Sequence, residues 1–426
     1  ALPGEEYTEA GRDMAESEKA ARYLQDAGYD MLNCDNGTYD AWYWAHPPIY
    51  MPENCNLEDV EHIKQFVDIP VVCAGRLNPE TAAASIAAGR LDGAGFARPF
   101  LADRAWVTKL MEDRPEDIRP CILCHNGCFN MCHYKGVPND QDLLDSLHLA
   151  RCAVNAETMQ TGKHYIKKTG SPRKVAVIGG GIGGMETARV LKLRGHEPAI
   201  YEKSGELGGT FIAASAESYK GKLRDLLAWY RRQMEQLGIE VHLNTEIRDL
   251  SRFQGQEIVV ATGAAPRFLK QVPGYERMIE ACQYLTGTPV GEKVAVVGGG
   301  LTGCEIAYEL ALQGKQPVIV EMKDDLISQK GVCLANSSYL REWFALHEVP
   351  VYLETTLKEV KEGSIVCRDK TGKETEIPCD SVISSAGYIP APLAKPGRHI
   401  HLVGDCRQVG NLRSVIWRAY ETAMAI

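Results

Sequence analysis

The front of the chain alternates short apolar stretches with helical patterns. Helical periodicity covers residues 13–27, 57–67 and 78–89, and apolar stretches of strand length cover 29–34, 70–74 and 92–96. Parallel strands alternating with helices at this spacing are typical of a TIM (β/α)8 barrel. The pattern therefore predicts an α/β fold that begins with the C-terminal part of such a barrel.

Three strands cannot close a barrel, because the open edges would leave backbone groups unpaired. We therefore expect that another chain supplies the missing strands or that this sequence is the back part of a longer protein. The first residue, Ala1 rather than Met, favours the second expectation.

Two of the predicted barrel strands are each followed by a small residue and an arginine, Gly75-Arg76 and Ala97-Arg98. The last strands of such barrels commonly hold a phosphate at their carboxyl ends. These positions therefore predict a binding site for a phosphorylated cofactor. The alternative is that both are ordinary surface arginines.

The second half begins with an apolar strand, 174–178, that runs into a glycine-rich turn and a helix. The glycines are Gly179, Gly181 and Gly184, and the next strand ends at Glu202, 18 residues past Gly184. Strand, G-x-G-x-x-G, helix, strand and terminal acid are the fingerprint of a Rossmann-like dinucleotide-binding domain. Glu202 is placed to accept hydrogen bonds from ribose hydroxyls.

The same pattern returns after strand 293–297, with Gly298, Gly300 and Gly303 followed by Glu321. Two fingerprints imply two dinucleotides. A carboxylate at the ribose position repels a 2′-phosphate, so Glu321 favours NADH over NADPH, although Lys323 lies nearby.

Between the two halves lies a group of cysteines, Cys121, Cys124 and Cys128, followed by Cys152. A triplet plus a single cysteine favours an iron–sulfur cluster. Zinc and unrelated thiols are the alternatives. Cys132 competes with Cys152 as the fourth ligand.

Composition excludes some classes of function. The net charge is −9, and 45% of residues are hydrophobic and 24% charged, which is ordinary for a globular protein without a nucleic-acid surface. No apolar run approaches the roughly 20 residues that span a bilayer. With fourteen cysteines and no signal peptide, the sequence indicates a reducing cytoplasm.

Taken together, the chain resembles the iron–sulfur flavoenzymes of the old-yellow-enzyme group, which include 2,4-dienoyl-CoA reductase, clostridial enoate reductases, bile-acid and steroid Δ4-reductases of gut anaerobes, and trimethylamine dehydrogenase. The residues that carry the resemblance are both arginine strand ends, the cysteine set with Asn155, both fingerprints, Glu206-Leu-Gly208-Gly209, Ala261-Thr-Gly263 and Gly404-Asp405.

The resemblance implies four cofactors. FMN would be held through Gly75, Arg76, Ala97 and Arg98, FAD through the first fingerprint with Glu202, Gly208 and Asp405, and NADH through the second fingerprint. A [4Fe-4S] cluster would be held by Cys121, Cys124, Cys128 and Cys152, although the 23-residue gap before Cys152 is longer than the family pattern.

The implied organisation is a partial FMN barrel, a cluster segment, a linker and an FAD domain with an inserted NAD domain. We expect the barrel part in 1–118, the cluster segment in 119–156 and the linker in 157–173. The FAD domain would comprise 174–284 and 381–426, and the inserted NAD domain would comprise 285–380.

The resemblance also implies a reaction. Electrons would pass from NADH to FAD, the cluster and FMN, and then to a C=C bond conjugated to a carbonyl, as in an enoate, an enoyl-CoA or a steroid enone. Tyr39 is the candidate proton donor, and His46 is a weaker one. The alternatives are amine oxidation and a diaphorase or electron-transfer module. We expect a small-molecule substrate, no nucleic-acid or membrane partner, and either a homo-oligomer or a separate barrel half.

Overall fold

The computed structural model describes residues 12–38, 41–132 and 150–426, without the side chain of Cys132. In its first part, three parallel strands pair in the order β1-β2-β3. The elements of this part are α1 (Met14–Asp26), β1 (Leu32–Cys34), α2 (Trp42–Ala45), α3 (Leu57–Lys64), β2 (Val71–Ala74), α4 (Pro79–Ala87), β3 (Gly93–Gly95), α5 (Arg98–Ala102), α6 (Trp106–Met111) and α7 (Phe129–Cys132). This arrangement confirms the three barrel-type units.

The first fingerprint lies at the centre of a five-stranded parallel sheet. Its neighbouring elements are β4 (Lys174–Ile178), α8 (Ile182–Leu193), β5 (Glu197–Tyr201), α9 (Phe211–Ala214), α10 (Gly221–Gln236), β6 (Glu240–His242), β7 (Glu257–Val260) and β8 (Ala264–Pro266). Val175 and Val177 of β4 are fully buried, as a strand covered on both faces requires.

The second fingerprint lies at the centre of a second five-stranded parallel sheet. Its elements are β9 (Ile279–Glu280), α11 (Ala281–Leu285), β10 (Lys293–Val297), α12 (Leu301–Leu312), β11 (Gln316–Val320), α13 (Leu334–Leu346), β12 (Val351–Tyr352), β13 (Thr355–Lys361), β14 (Ser364–Asp369), β15 (Glu374–Pro378) and β16 (Ser381–Ser384). The strand order is β12-β11-β10-β16-β9, and β13, β14 and β15 form a separate antiparallel sheet.

The chain then returns to the first sheet through β17 (Tyr388–Pro390), β18 (Ile400–Leu402) and α14 (Leu412–Ala425). The order of that sheet is β18-β7-β4-β5-β6, and β8 pairs with β17 where the chain crosses between the two units. Because β9 and β16 hydrogen-bond within the second sheet, we propose limits for this unit near residues 279 and 384.

The units share cores. Ile122 and Val154, which flank the cysteines, are buried in the core that α8 and α14 form in the first unit. Tyr43, Tyr50 and Leu123 are buried in the core of the second unit. Within the described residues, no helix is long and apolar enough to cross a membrane.

Candidate functional site

The cysteine loop is tightly folded and packs directly on the segment that carries Cys152. Leu123 and His125 have φ angles of 57° and 53°, which turn the loop sharply. A Cβ on Gly127 would meet the backbone of Cys152 and Ala153 at 2.9 Å, so only glycine allows this approach. The amide of Arg151 donates to the carbonyl of Gly127 at 2.6 Å. The 23 intervening residues therefore do not keep Cys152 away from the triplet.

All four expected cysteines, Cys121, Cys124, Cys128 and Cys152, line one small cavity. Burial raises the pKa of Cys124 well above its ordinary value, and it raises that of Cys152 to about 12. Neighbouring thiols raise both pKa values further, because several thiolates in one place repel one another. A cationic centre would remove that penalty.

The donor set fits an iron–sulfur cluster, which requires soft thiolate ligands. In the part of the chain that is described, no group of three or more His, Cys, Asp or Glu side chains is arranged to hold a metal ion. The fit therefore rests on donor chemistry and the shared cavity. We propose Cys152 rather than Cys132 as the fourth ligand, since Cys152 lines this cavity.

A second, larger cavity of about 1160 Å³ adjoins the cysteines. It is lined by Gly75, Arg76, Ala97 and Arg98, the four residues expected to hold FMN, and also by Cys121 and Cys128. The structure thus brings the expected flavin-binding residues and two expected cluster ligands to one space.

Both arginines of this cavity are held in place by backbone carbonyls. Arg76 Nη1 donates to the carbonyls of Pro48 and Ile49 at 3.0 and 2.9 Å, and Arg98 Nη1 donates to that of Pro47 at 2.9 Å. Burial lowers the pKa of Arg76, yet an arginine stays charged in proteins. Two positioned guanidinium groups suit a phosphate.

Glycine is required at position 75 for two reasons. Gly75 has a φ of 108°, and a Cβ there would lie 2.3 Å from Nδ2 of Asn56. That amide donates to the carbonyl of Ala74 at 3.0 Å and so holds the end of β2. The backbone at the mouth of the cavity is therefore fixed from behind.

His125 also belongs to the site, although no local sequence pattern indicates it. Arg98 Nη1 lies 2.5 Å from Nε2 of His125, and Nδ1 of His125 lies 3.0 Å from Oδ1 of Asn336. An arginine can only donate, so Nε2 accepts and Nδ1 carries the proton. Burial first, and then the charge of Arg98, hold the pKa of His125 well below its usual range. The ring is therefore neutral and joins the arginine to α13.

The first fingerprint has the expected backbone geometry. A Cβ on Gly184 would meet the carbonyl oxygen of Gly179 at 2.0 Å, so helix α8 needs glycine to start this close to β4. A Cβ on Gly181 would meet nothing closer than 3.9 Å, which leaves that side of the loop open to a pyrophosphate. Gly208 forms a bridge with Gly181 across this opening.

Glu202 is buried at the end of β5 and already organises the loop. Its Oε2 accepts from the amide of Gly180, and its Oε1 accepts from the amide of Ser204, both at 2.7 Å. Asp405 follows β18, which is an edge strand of the same sheet, and burial raises the pKa of Asp405. It accepts from the amide of Gly410 at 3.1 Å. We propose these two carboxylates as FAD contacts.

The second fingerprint repeats this geometry. Glu321 Oε2 accepts from the amide of Gly299 at 2.6 Å, and Oε1 accepts from that of Lys323 at 2.8 Å. A Cβ on Gly303 would lie 1.9 Å from the carbonyl oxygen of Gly298, whereas one on Gly300 would meet nothing closer than 3.4 Å. We propose this loop as the NADH site.

Comparison with known proteins identifies two family models along the chain. Residues 150–255 and 173–402 match the profile of the pyridine nucleotide-disulphide oxidoreductases. Residues 2–117 match the NADH:flavin oxidoreductase / NADH oxidase family. The chain belongs to the pyridine nucleotide-disulphide oxidoreductase family, and its first part matches the NADH:flavin oxidoreductase / NADH oxidase family.

Two curated relatives and one solved structure show how far the likeness extends. Cinnamate reductase of Clostridium sporogenes is 36% identical over 100% of this chain, and NADH oxidase of Thermoanaerobacter brockii is 28% identical over 99%. A 2-naphthoyl-CoA reductase complex superimposes with a TM-score of 0.84 and 25% identity over 98% of this chain. The chain spans 63% and 65% of the two relatives and 64% of the solved chain.

Of the two candidate proton donors, His46 lies within the described residues. Tyr39, the residue expected in that role, lies outside the described residues. His46, the weaker candidate, lines the large cavity, and its ring lies 3.7 Å from that of Phe129. Trp42 and Tyr43, which precede it, are buried among core residues. Both side chains therefore contribute to packing between the barrel part and the second nucleotide unit.

Proposed function

We propose that this protein is an NADH-dependent reductase of C=C bonds conjugated to a carbonyl group. The observation that carries the proposal is the large cavity, which collects Arg76, Arg98, Cys121 and Cys128 around one space. The sequence similarity to a cinnamate reductase, 36% identity along the whole chain, supports an unsaturated acid or thioester as the substrate.

The chain's own residues would bind and orient the cofactors. Arg76 and Arg98 would hold the FMN phosphate, because carbonyls of 47–49 fix both side chains in advance. Glu202 and Glu321 would hold the two riboses through further hydrogen bonds to carboxylate oxygens that already accept from backbone amides of the glycine loops. When bound, NADH and FAD supply hydride chemistry, and the cluster supplies the single-electron steps by which FMN becomes able to reduce the substrate.

Helix α10 closes one side of the large cavity. Trp229, Lys222, Asp225 and Arg232 of this helix line it together with Arg119. A cavity shared between the barrel part and the first nucleotide unit would keep the flavin and the cluster close together and shielded from water.

A proton must also reach the α-carbon of the substrate. We propose Tyr39 for this role, since a phenol with a pKa near 10 can donate to a developing enolate. His46 is the second candidate because it lines the cavity.

The test is anaerobic turnover with NADH and trans-cinnamate, with product analysis for the saturated acid. NADH oxidation that matches saturated product supports the proposal. A matched pair of variants, Cys124→Ser and the remote Cys367→Ser, separates cluster-dependent turnover from general damage. The first should abolish reduction of cinnamate, and the second should not.

Two other outcomes would assign the chain differently. NADH-driven dye reduction without any saturated product would favour an electron-transfer or diaphorase module, for which the NADH oxidase relative is a precedent in name. Oxidation of a methylated amine with a dye and without NADH would favour an amine dehydrogenase.

A further inference from the structure

A buried arginine next to the cysteine segment has no obvious counter-ion. Only 6% of Arg119 is exposed. Its Nη1 donates to the carbonyl of Val154 at 3.2 Å, and its guanidinium lies 4.6 Å from the ring centre of Trp229. Within the described residues its Nε has no hydrogen-bond partner, and no carboxylate forms an ion pair with it.

A buried cation is costly unless an anion lies near it. The candidates here are the thiolates. Arg119 lines the same cavity as Cys121 and Cys128, and the carbonyl that it binds lies two residues after Cys152.

A second buried arginine approaches the cysteines from another element. Arg413 of α14 is 2% exposed, and its guanidinium lies 4.9 Å from the ring centre of Trp417. The indole Nε1 of Trp417 donates to the carbonyl of Cys152 at 2.9 Å. Arg413 interacts electrostatically with Glu421 and with Cys124.

We propose that Arg119, assisted by Arg413, is the counter-cation of the iron–sulfur centre and sets its reduction potential. Adding one electron adds one negative charge among the four cysteines, and a fixed cation beside them favours that reduced state. Arg119 is thus a positioning residue for charge and takes no part in bond making. The inference rests on the proposed cluster, and it does not depend on the substrate.

The test is an anaerobic potentiometric titration with dithionite and mediator dyes, followed by electron paramagnetic resonance of the reduced centre. Arg119→Met removes the charge and keeps side-chain length. At the wild-type midpoint potential, the ratio of reduced to oxidised centre should fall at least tenfold, which corresponds to about 59 mV for one electron. Arg119→Lys should stay near the wild type.

Arg248→Met is the matched control, because it makes the same change of net charge at an arginine whose side chain is 83% exposed. It should leave the midpoint unchanged. Iron content is measured in every variant. If Arg119→Met loses iron, Arg413→Met decides in its place, and it must shift the midpoint in the same direction.

An unchanged midpoint in an iron-replete Arg119→Met protein would overturn the inference, as would an unchanged midpoint in Arg413→Met where that variant decides. Failure of the proposed function looks different. If the wild type reduces no enone but Arg119→Met still shifts the midpoint potential, the charge role of Arg119 stands and the proposed function fails. If the wild type reduces cinnamate but the midpoint potential does not shift, only the charge role of Arg119 fails.

Discussion

At the scale of single residues, the two ribose carboxylates each have a second role in the fold. Glu321 holds the amides of Gly299 and Lys323 in addition to its proposed contact with NADH. A substitution there therefore changes both loop order and the charge that a 2′-phosphate would meet. The two effects can be separated by charge-neutral and truncating variants.

We expect Glu321→Gln to narrow the preference for NADH over NADPH by about tenfold, equivalent to about 1.4 kcal/mol. The reason is that the amide keeps an acceptor oxygen but removes the repulsion of a 2′-phosphate. The measurement is KM for both nucleotides in dye reduction. Glu292→Gln, at an exposed position in the same unit, is the control. An unchanged ratio of KM values would show that Glu321 does not face the ribose.

The glycines of the second fingerprint should divide into two classes. Gly303→Ala forces a Cβ to within 1.9 Å of a backbone oxygen, so we expect the melting temperature to fall by several degrees. Gly300→Ala has room in the fold, so it should melt like the wild type but bind NADH more weakly. Thermal unfolding and NADH titration test the pair. Equal melting temperatures would contradict the geometric argument.

At the scale of elements, helix α13 is tied to the cysteine loop. Asn336 accepts from His125, and its amide donates to the carbonyl of Leu123 at 3.4 Å. Asn126 of the loop donates to the carbonyl of Gly331, just before the helix. The second nucleotide unit therefore contacts the cluster segment directly.

We expect Asn336→Ala to lower the free energy of unfolding by about 1–2 kcal/mol, because it leaves the buried Nδ1 of His125 without its acceptor. Urea unfolding and the rate of iron release are the measurements. Ser338→Ala on the same helix is the control, since the hydroxyl of Ser338 donates to the carbonyl of Leu334 within that helix. If the two variants lost similar amounts of unfolding free energy, the contact between Asn336 and His125 would not stabilise the fold.

The elements also show what a sequence can predict. Both fingerprint strands, 174–178 and 293–297, could be placed residue by residue, because strand, glycine turn and helix follow one another locally. The antiparallel sheet of β13, β14 and β15 went unpredicted, although alternation in 355–361 and turns at Gly363 and Gly372 signal it.

Contacts between distant segments leave no local signal. His125 and Asn336 are 211 positions apart, and nothing in either neighbourhood indicates the other. The same holds for Arg119, whose role depends on a cavity assembled from several units. Tyr43 and Glu342 are even farther apart in the chain, yet the hydroxyl of Tyr43 donates to Glu342 at 2.6 Å.

At the scale of the whole molecule, three units meet at one buried group of charges. Lys220 and Glu217 come from the first nucleotide unit, Glu305 from the second and Tyr50 from the barrel part. Lys220 Nζ lies 2.7 Å from Glu305 and 3.1 Å from Glu217, and the hydroxyl of Tyr50 donates to Glu305 at 2.8 Å. One cation thus faces two carboxylates.

The second carboxylate makes this junction sensitive to pH. Burial raises the pKa of Glu217 from 4.5 to about 7, although Lys220 partly opposes it. The folded protein therefore binds this proton more tightly than the unfolded chain does. Its stabilising contribution is complete below pH 4.5 and is lost as the pH rises through 7.

We expect Glu217→Gln, which is neutral at every pH, to be about 2 kcal/mol more stable than the wild type at pH 8 and to lose that advantage at pH 5. Lys220 keeps Glu305 as its partner in the variant, so no cation is left unpaired. Urea unfolding at both pH values measures the difference, with Glu235→Gln on the exposed face of α10 as the control. An advantage that is constant with pH would show that Glu217 is ionised throughout, and the three units would then meet around a permanent ion triad.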